Sequence, residues 1–296
     1  MRGMDWKAWR LALATGLVMA LSAACGGGGE EAEQTEGEPT EEAGPVVSPD
    51  SAATITGSIT FQGPAPPAEP IDMSEEPTCA EKHTEPPAQQ VVVVGSGGEL
   101  ANVFVYVKEG LAARDWPTPS DGVTIDQQGC EYHPHVLAIQ TGQPLIIKNS
   151  DGILHNINTQ PTVNQGFNIS QPVEMETERE FSAAEVMIPV KCDVHGWMEA
   201  YIGVQDHPYM AVTGEDGSFS LANLPPGEYI IEAWHERYGT QTQTVTVGPQ
   251  ESKEISFTFS SGTANRVPLG EPVDLHDHGA TQHEGAHSRP ITSARR

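Results

Sequence analysis

Between residues 53 and 262 apolar and polar positions alternate in short runs, separated by glycine, proline, asparagine or aspartate. Alternation with period two puts every second side chain on one face, as in a half-buried strand. The runs "TITGSITF", "VVVVG", "NVFVYVKEG", "GVTID", "HVLAIQ", "PLIIKN", "LHNIN", "VEMETEREF", "VMIPVKC", "EAYIGV", "GSFSLANL", "GEYIIEAWH", "TQTVTVG" and "KEISFTFS" all read as strands. No stretch keeps a helical period over three turns, and only a turn near 74–83 reads as helix. No fixed-period repeat is present. The pattern predicts an all-β chain of sandwich type. In "VMIPVKC" the residues Val186, Ile188, Val190 and Cys192 alternate, which predicts one core-facing strand face with Cys192 at its end.

The two ends of the 296-residue chain break this pattern. Arg2, Lys7 and Arg10 precede the apolar run "LALATGLVMALSAA", which is short for a bilayer span. Charge, apolar run and small residues in that order read as a signal peptide over 1–24. Cysteine directly after "SAA" makes the segment resemble a bacterial lipoprotein signal, although Ser22 stands where such signals usually carry leucine. The resemblance implies a lipid on Cys25 and an exported chain anchored on the periplasmic or cell-surface side of a membrane. Residues 25–52 are acidic, rich in glycine and proline and free of aromatics, which predicts a disordered arm. Residues 263–296, with His276, His278, His283 and His287, predict a disordered histidine-rich tail.

The formal net charge of −26 argues against nucleic acid as a partner, because phosphate binding needs a basic surface. It is compatible with a basic protein partner. With Cys25 lipidated, Cys79, Cys130 and Cys192 remain, and in an oxidising compartment two of the three should pair. Only Cys192 has histidine and methionine at close spacing, so Cys79–Cys130 is the expected disulfide and Cys192 the reserved thiol. The rival pairings, Cys79–Cys192 and Cys130–Cys192, would remove Cys192 from any metal site.

After about residue 208, "VTGEDGSFSLANLPPGEYIIEAWHERYGTQTQTVTV" carries turns at "EDG" and "PPGE". This stretch resembles the carboxypeptidase-regulatory-like, or transthyretin-like, β-sandwich. It supplies about five strands where such a sandwich needs about seven. "TITGSITF" and "NVFVYVKEG" resemble the missing two. The resemblance implies an interrupted sandwich, 53–111 with 207–262, holding an inserted domain at 112–206. Two sandwiches in tandem are the alternative.

Candidate chemistry sits in "KCDVHGWM": Cys192, His195 and Met198 at spacings of three. Thiolate, imidazole and thioether select copper over hard cations. Upstream, "KNSDGILHNIN" offers His155 as a second imidazole. Together the two stretches resemble the cupredoxins, with a Cys-x-x-His-x-x-Met spacing similar to amicyanins and plastocyanins. The resemblance implies a Greek-key sandwich holding one type 1 copper. His155, Cys192 and His195 would be the strong ligands, Met198 the weak axial one, and Asn156 the residue pinning the cysteine loop. Gly196 departs from the proline usual after the second histidine. The family's second histidine reaches the surface through an apolar patch, which here implies electron exchange at His195 with Gly196 and Trp197 in the docking surface.

With four protein donors no position stays open for substrate, so an electron carrier rather than an enzyme is expected. Its partner would be a redox protein such as a cytochrome or a membrane electron-transfer complex. A copper-delivery protein and a cell-surface binding module are the alternative functions. His133 and His135 in "CEYHPHV" lie near Cys130 and are expected to be structural or surface residues, with a place beside the copper site or a second metal site as the alternative; His207 and His235 have no partner at ligand spacing and are expected to be structural.

Overall fold

The computed structural model describes residues 47–263. The signal peptide, Cys25, the arm up to residue 46 and the tail from residue 264 lie outside the described residues. In chain order the elements are β1 (Ala53–Gln62), α1 (Pro77–Ala80), β2 (Phe104–Glu109), β3 (Val123–Gln128), β4 (Glu131–His133), β5 (Val136–Gln140), β6 (Leu145–Asn149), β7 (His155–Thr159) and β8 (Asn168–Gln171). There follow β9 (Met175–Arg179), β10 (Glu185–Lys191), β11 (Glu199–Gln205), β12 (Met210–Val212), β13 (Ser218–Leu224), β14 (Gly227–His235), β15 (Gly239–Val247) and β16 (Ser252–Ser260).

Four sheets form two sandwiches. One pairs the sheet β13-β1-β16 with β12-β2-β14-β15; the other pairs β5-β11-β10-β7-β8 with β4-β3-β6-β9. The first takes β1 and β2 from before residue 112 and its remaining strands from after residue 207, while β3 to β11 make the second. Each has its own core. Ile55, Val105, Ile231 and Phe257 lie in one, and Ile125, Ile147, Ile188, Val190 and Ile202 in the other. A third cluster of Phe104, Tyr106, Val136, Met187, Tyr201 and Trp234 joins them. Gly203 is required at that junction, because a Cβ there would meet the Phe104 ring at 2.6 Å.

Two readings of the alternation need correction. "VVVVG" forms no strand: Val94 makes a single bridge to Leu100, and Val92 and Val94 pack on the first core instead of pairing. In β10 the expected face is broken at its start. The pairing with β11 shifts between Glu185 and Ile188, and Met187 adopts φ 61°. This bulge leaves Val186 39% exposed and turns Met187 into the junction, while Ile188, Val190 and Cys192 face the core.

Among the described residues, three of the histidines outside the candidate metal motif, His135, His207 and His235, are buried in structural contacts. His207 donates from Nε2 to the Val107 carbonyl at 2.9 Å, and His135 Nε2 lies 2.6 Å from Glu236 across the junction. His133 is exposed near the Gln128 carbonyl. His235 is fully buried against the Tyr238 and Phe259 rings. Burial, with His135 and Arg237 nearby, drives its pKa down to about 3. An unfolded histidine takes up its proton near pH 6.5, so the stability that His235 contributes is present above that pH and is lost as pH falls toward 3. Chemical denaturation at pH 7 and pH 5 should show the wild type losing about 2 kcal/mol more than His235→Leu.

Candidate metal centre

β10 delivers Cys192 to the end of the second sandwich. The next six residues close a tight loop: Cys192 N–H donates to the Met198 carbonyl at 3.2 Å, and Met198 N–H to the His195 carbonyl at 3.0 Å. His195 N–H points to the Cys192 sulfur at 3.4 Å, which folds the imidazole back over it. β7 pairs with β10 through Asn158–Lys191 and Thr159–Val190, so its first residue, His155, arrives beside Cys192.

Three donors converge there. His155 Nδ1 is 2.9 Å from His195 Nδ1, and Cys192 Sγ is 3.9 Å from His195 Nδ1. All three residues are buried, at 0%, 4% and 3% exposure. His155 Nε2 donates to Asp151 Oδ2 at 2.9 Å, which fixes the tautomer and leaves the Nδ1 lone pair facing inward. Two imidazole nitrogens held this close need a proton or a cation between them.

Asn156 pins the loop. Its Oδ1 accepts from Asp193 N–H at 2.6 Å and lies 3.3 Å from Cys192 Sγ; its Nδ2 donates to Asp193 and Asn168. Met198 is buried in the core that also holds Cys192. Gly196 is exposed with open space around it. Trp197 is half-buried, its ring 5.2 Å from His195 and its Nε1–H donating to the Cys130 carbonyl at 3.0 Å.

The electrostatics favour a thiolate. Burial pushes the Cys192 thiol up, but hydrogen bonds with His155, His195 and Asn156 outweigh it and bring the pKa down to about 6. Burial opposes a charged His155 as well, and Asp151 and Cys192 more than offset it, raising the imidazole. Asp151 also resists burial. Bonds from His155, the Cys130 and Gly129 amides and Lys82 hold its carboxyl well below the usual carboxylate range.

Cys79 and Cys130 are disulfide-bonded, and Cys192 is the free cysteine among the described residues. The position of the disulfide changes the site. Cys79 Sγ lies 3.6 Å from His195 Nε2, so the outer edge of this imidazole meets sulfur rather than solvent. The surface-reaching His195 edge implied by the cupredoxin resemblance is therefore corrected. The cause is the long connector from β1 to β2, which carries α1 across the ligand end. Lys82 pairs with Asp151 at 3.1 Å, and His83 bonds the Gly129 carbonyl at 2.7 Å, fastening the connector there. Gly196 and Trp197 instead line an open cleft with Gln90, Tyr132 and His135.

Sequence reading missed Asp151. Its signal was the aspartate of "NSDG", four residues before His155, since a metal-binding imidazole ordinarily gives its second N–H to a carboxylate. Asp151→Asn keeps the shape but removes the charge. It should weaken metal binding about 10- to 100-fold in competition with a chelator.

Residues 199–260 match the carboxypeptidase regulatory-like domain model. The match begins in β11 and runs through β16, leaving out β1 and β2. No curated protein matches the chain. Several solved structures resemble part of it. A copper-containing nitrite reductase from Thermus scotoductus SA-01 is 18% identical over 33% of this chain and 25% of its own, with a TM-score of 0.28. This chain thus spans about a quarter of that enzyme. An oxidised amicyanin variant is 16% identical over 33% of this chain and 100% of its own, at 0.26. A purple cupredoxin from Nitrosopumilus maritimus is 20% identical over 28% of this chain and 98% of its own, at 0.24. At these scores the donor set, not the likeness, must decide which metal fits.

Proposed function

We propose that this chain binds one copper ion through His155, Cys192, His195 and Met198 and passes single electrons between redox proteins outside the cytoplasm. One observation carries the reading: an acidified thiol and two imidazole nitrogens converge in a buried spot, each oriented by a further hydrogen bond. Soft sulfur with imidazole nitrogen suits copper and disfavours magnesium or calcium.

Copper would supply a one-electron couple. The protein's part is to keep the donors still. Asn156 and the Met198–Cys192 backbone bond brace the loop. Asp151 fixes the His155 ring, and the disulfide closes the outer side of His195. A rigid, dry pocket lowers the rearrangement needed when charge changes. With Met198 as the fourth donor no position would be left for substrate, in keeping with a carrier.

Export and a lipid on Cys25 complete the proposal, with the acidic arm giving reach from the membrane. Mass spectrometry of the membrane-extracted chain should find the N-terminus at a diacylated or triacylated Cys25. A copper-delivery role is the competing reading, and the two separate on metal lability. An electron carrier buried under a disulfide-fastened connector should hold Cu(I) against a competing chelator for hours and give reversible one-electron voltammetry. Loss of the metal within minutes, with no reversible wave, would favour delivery.

A further inference from the structure

Six large apolar side chains are exposed among the described residues: Leu154, Val163, Val173, Met175, Val186 and Val194. They fall at two ends of the second sandwich. Glu185 accepts hydrogen bonds from Thr162 and Asn164, which places Val163 and Val186 together at one end. β10 then runs seven residues to Lys191, about 20 Å of strand, before the ligand cysteine.

The other four lie at the ligand end. Leu154 directly precedes His155, and Val194 directly precedes His195. His155 pairs with Gln171 in β8, and Met175 pairs with Asn149 in β9, so the turn holding Val173 lies beside the loop holding Leu154. A Cβ on Gly152 would meet Glu174 Oε1 at 3.6 Å, which confirms the contact between the two loops. Asp193, bound to Asn156, Asn158 and Asn168, sets Val194 against β7 and β8. Glu174 and Asp193 are exposed around these residues, whereas Glu176 lies on the opposite strand face from Met175, across from Lys148, and Lys82 is taken up by Asp151.

We infer that Leu154, Val173, Met175 and Val194, flanked by Glu174 and Asp193, form the docking surface for a basic redox protein, on the His155 side of the site. The inference rests on the electron-transfer reading above and relocates its port. The connector and its disulfide close the His195 edge, whereas the Leu154 side is left uncovered. Apolar contact at the centre gives a partner short-lived adhesion, and the flanking carboxylates select for lysine or arginine and speed encounter. A second copy of this chain fits poorly, because both faces would carry negative charge. An anionic lipid surface is disfavoured for the same reason.

The test titrates a lysine-rich class I cytochrome c into the 15N-labelled full chain in its Cu(I) form and follows amide shifts. Expected are shifts at residues 152–154, 173–175 and 194, fading at about 1 M salt, where screening extends only about 3 Å. Leu154→Lys and Val173→Lys should each weaken the apparent affinity about tenfold, and Val163→Lys at the far end should leave it unchanged. Shifts centred on Gly196 and Trp197, equal effects of all three variants, or no shifts at all would overturn the inference. Copper binding is read separately from the visible spectrum of the same samples after oxidation to Cu(II), so a protein that stays colourless on oxidation but still docks here would overturn the electron-transfer reading and leave the surface standing.

Discussion

Cys192→Ser is expected to abolish the copper–thiolate absorption band completely while lowering the unfolding midpoint of the metal-free protein by only about 2–4 °C. The band requires sulfur bound to copper, and a serine hydroxyl is a hard, essentially un-ionised donor with little affinity for the metal at neutral pH. The fold should tolerate the exchange. Serine is slightly smaller, and Asn156 Oδ1, 3.3 Å from the sulfur, is an acceptor ready for its hydroxyl. Stability of the metal-free protein should fall by about 1 kcal/mol. Visible spectroscopy of the Cu(II)-loaded protein and thermal denaturation of the metal-free protein check the two halves. A band that survives the substitution would remove Cys192 from the site.

Breaking the disulfide should produce the largest change in stability. Cys79 and Cys130 are 51 residues apart, and cross-linking a loop of that size disfavours the unfolded chain by about 4 kcal/mol. Cys79→Ala/Cys130→Ala should therefore melt roughly 8–16 °C below the wild type. The site should open as well. Without sulfur against His195 Nε2, and with the connector held by Lys82, His83 and the buried Ile71 and Met73 rather than by a covalent link, solvent reaches the imidazole edge. Cu(I) should pass to a chelator at least tenfold faster than from the wild type, a factor worth about 1.4 kcal/mol in barrier. A melting point within about 2 °C of wild type, with unchanged metal release, would mean that the connector is fastened by other contacts.

Much of the architecture could be read from alternation alone, because strands buried on one face write their period into the sequence. β1, β14, β15 and β16 are nine or ten residues long and give unmistakable patterns. β4, β8 and β12, at three or four residues, are too short to show a period and went unread. "VVVVG" misled because consecutive valines serve packing as well as pairing. The displacement of Val186 depends on a bulge, which is a backbone event with no residue signature here.

The candidate ligands were legible for a chemical reason. Thiolate, imidazole and thioether side chains at spacings of three share one short loop, and the structure brings two of them, Cys192 and His195, together with His155. Asp151 was visible only in hindsight, since an aspartate in a turn ordinarily needs no further explanation. The covering of His195 could not be read at all. It arises from contact between Cys79 and His195, 116 residues apart, and no local pattern records where a long connector comes to rest.

The decisive measurement is the EPR and visible spectrum of the full chain loaded with one equivalent of Cu(II). An intense visible thiolate-to-copper band, narrow hyperfine splitting and a stoichiometry of one copper per chain are the predicted results. A colourless complex with the wide hyperfine splitting of ordinary nitrogen and oxygen ligation, or no retained copper, would contradict a copper–thiolate centre at His155, Cys192, His195 and Met198.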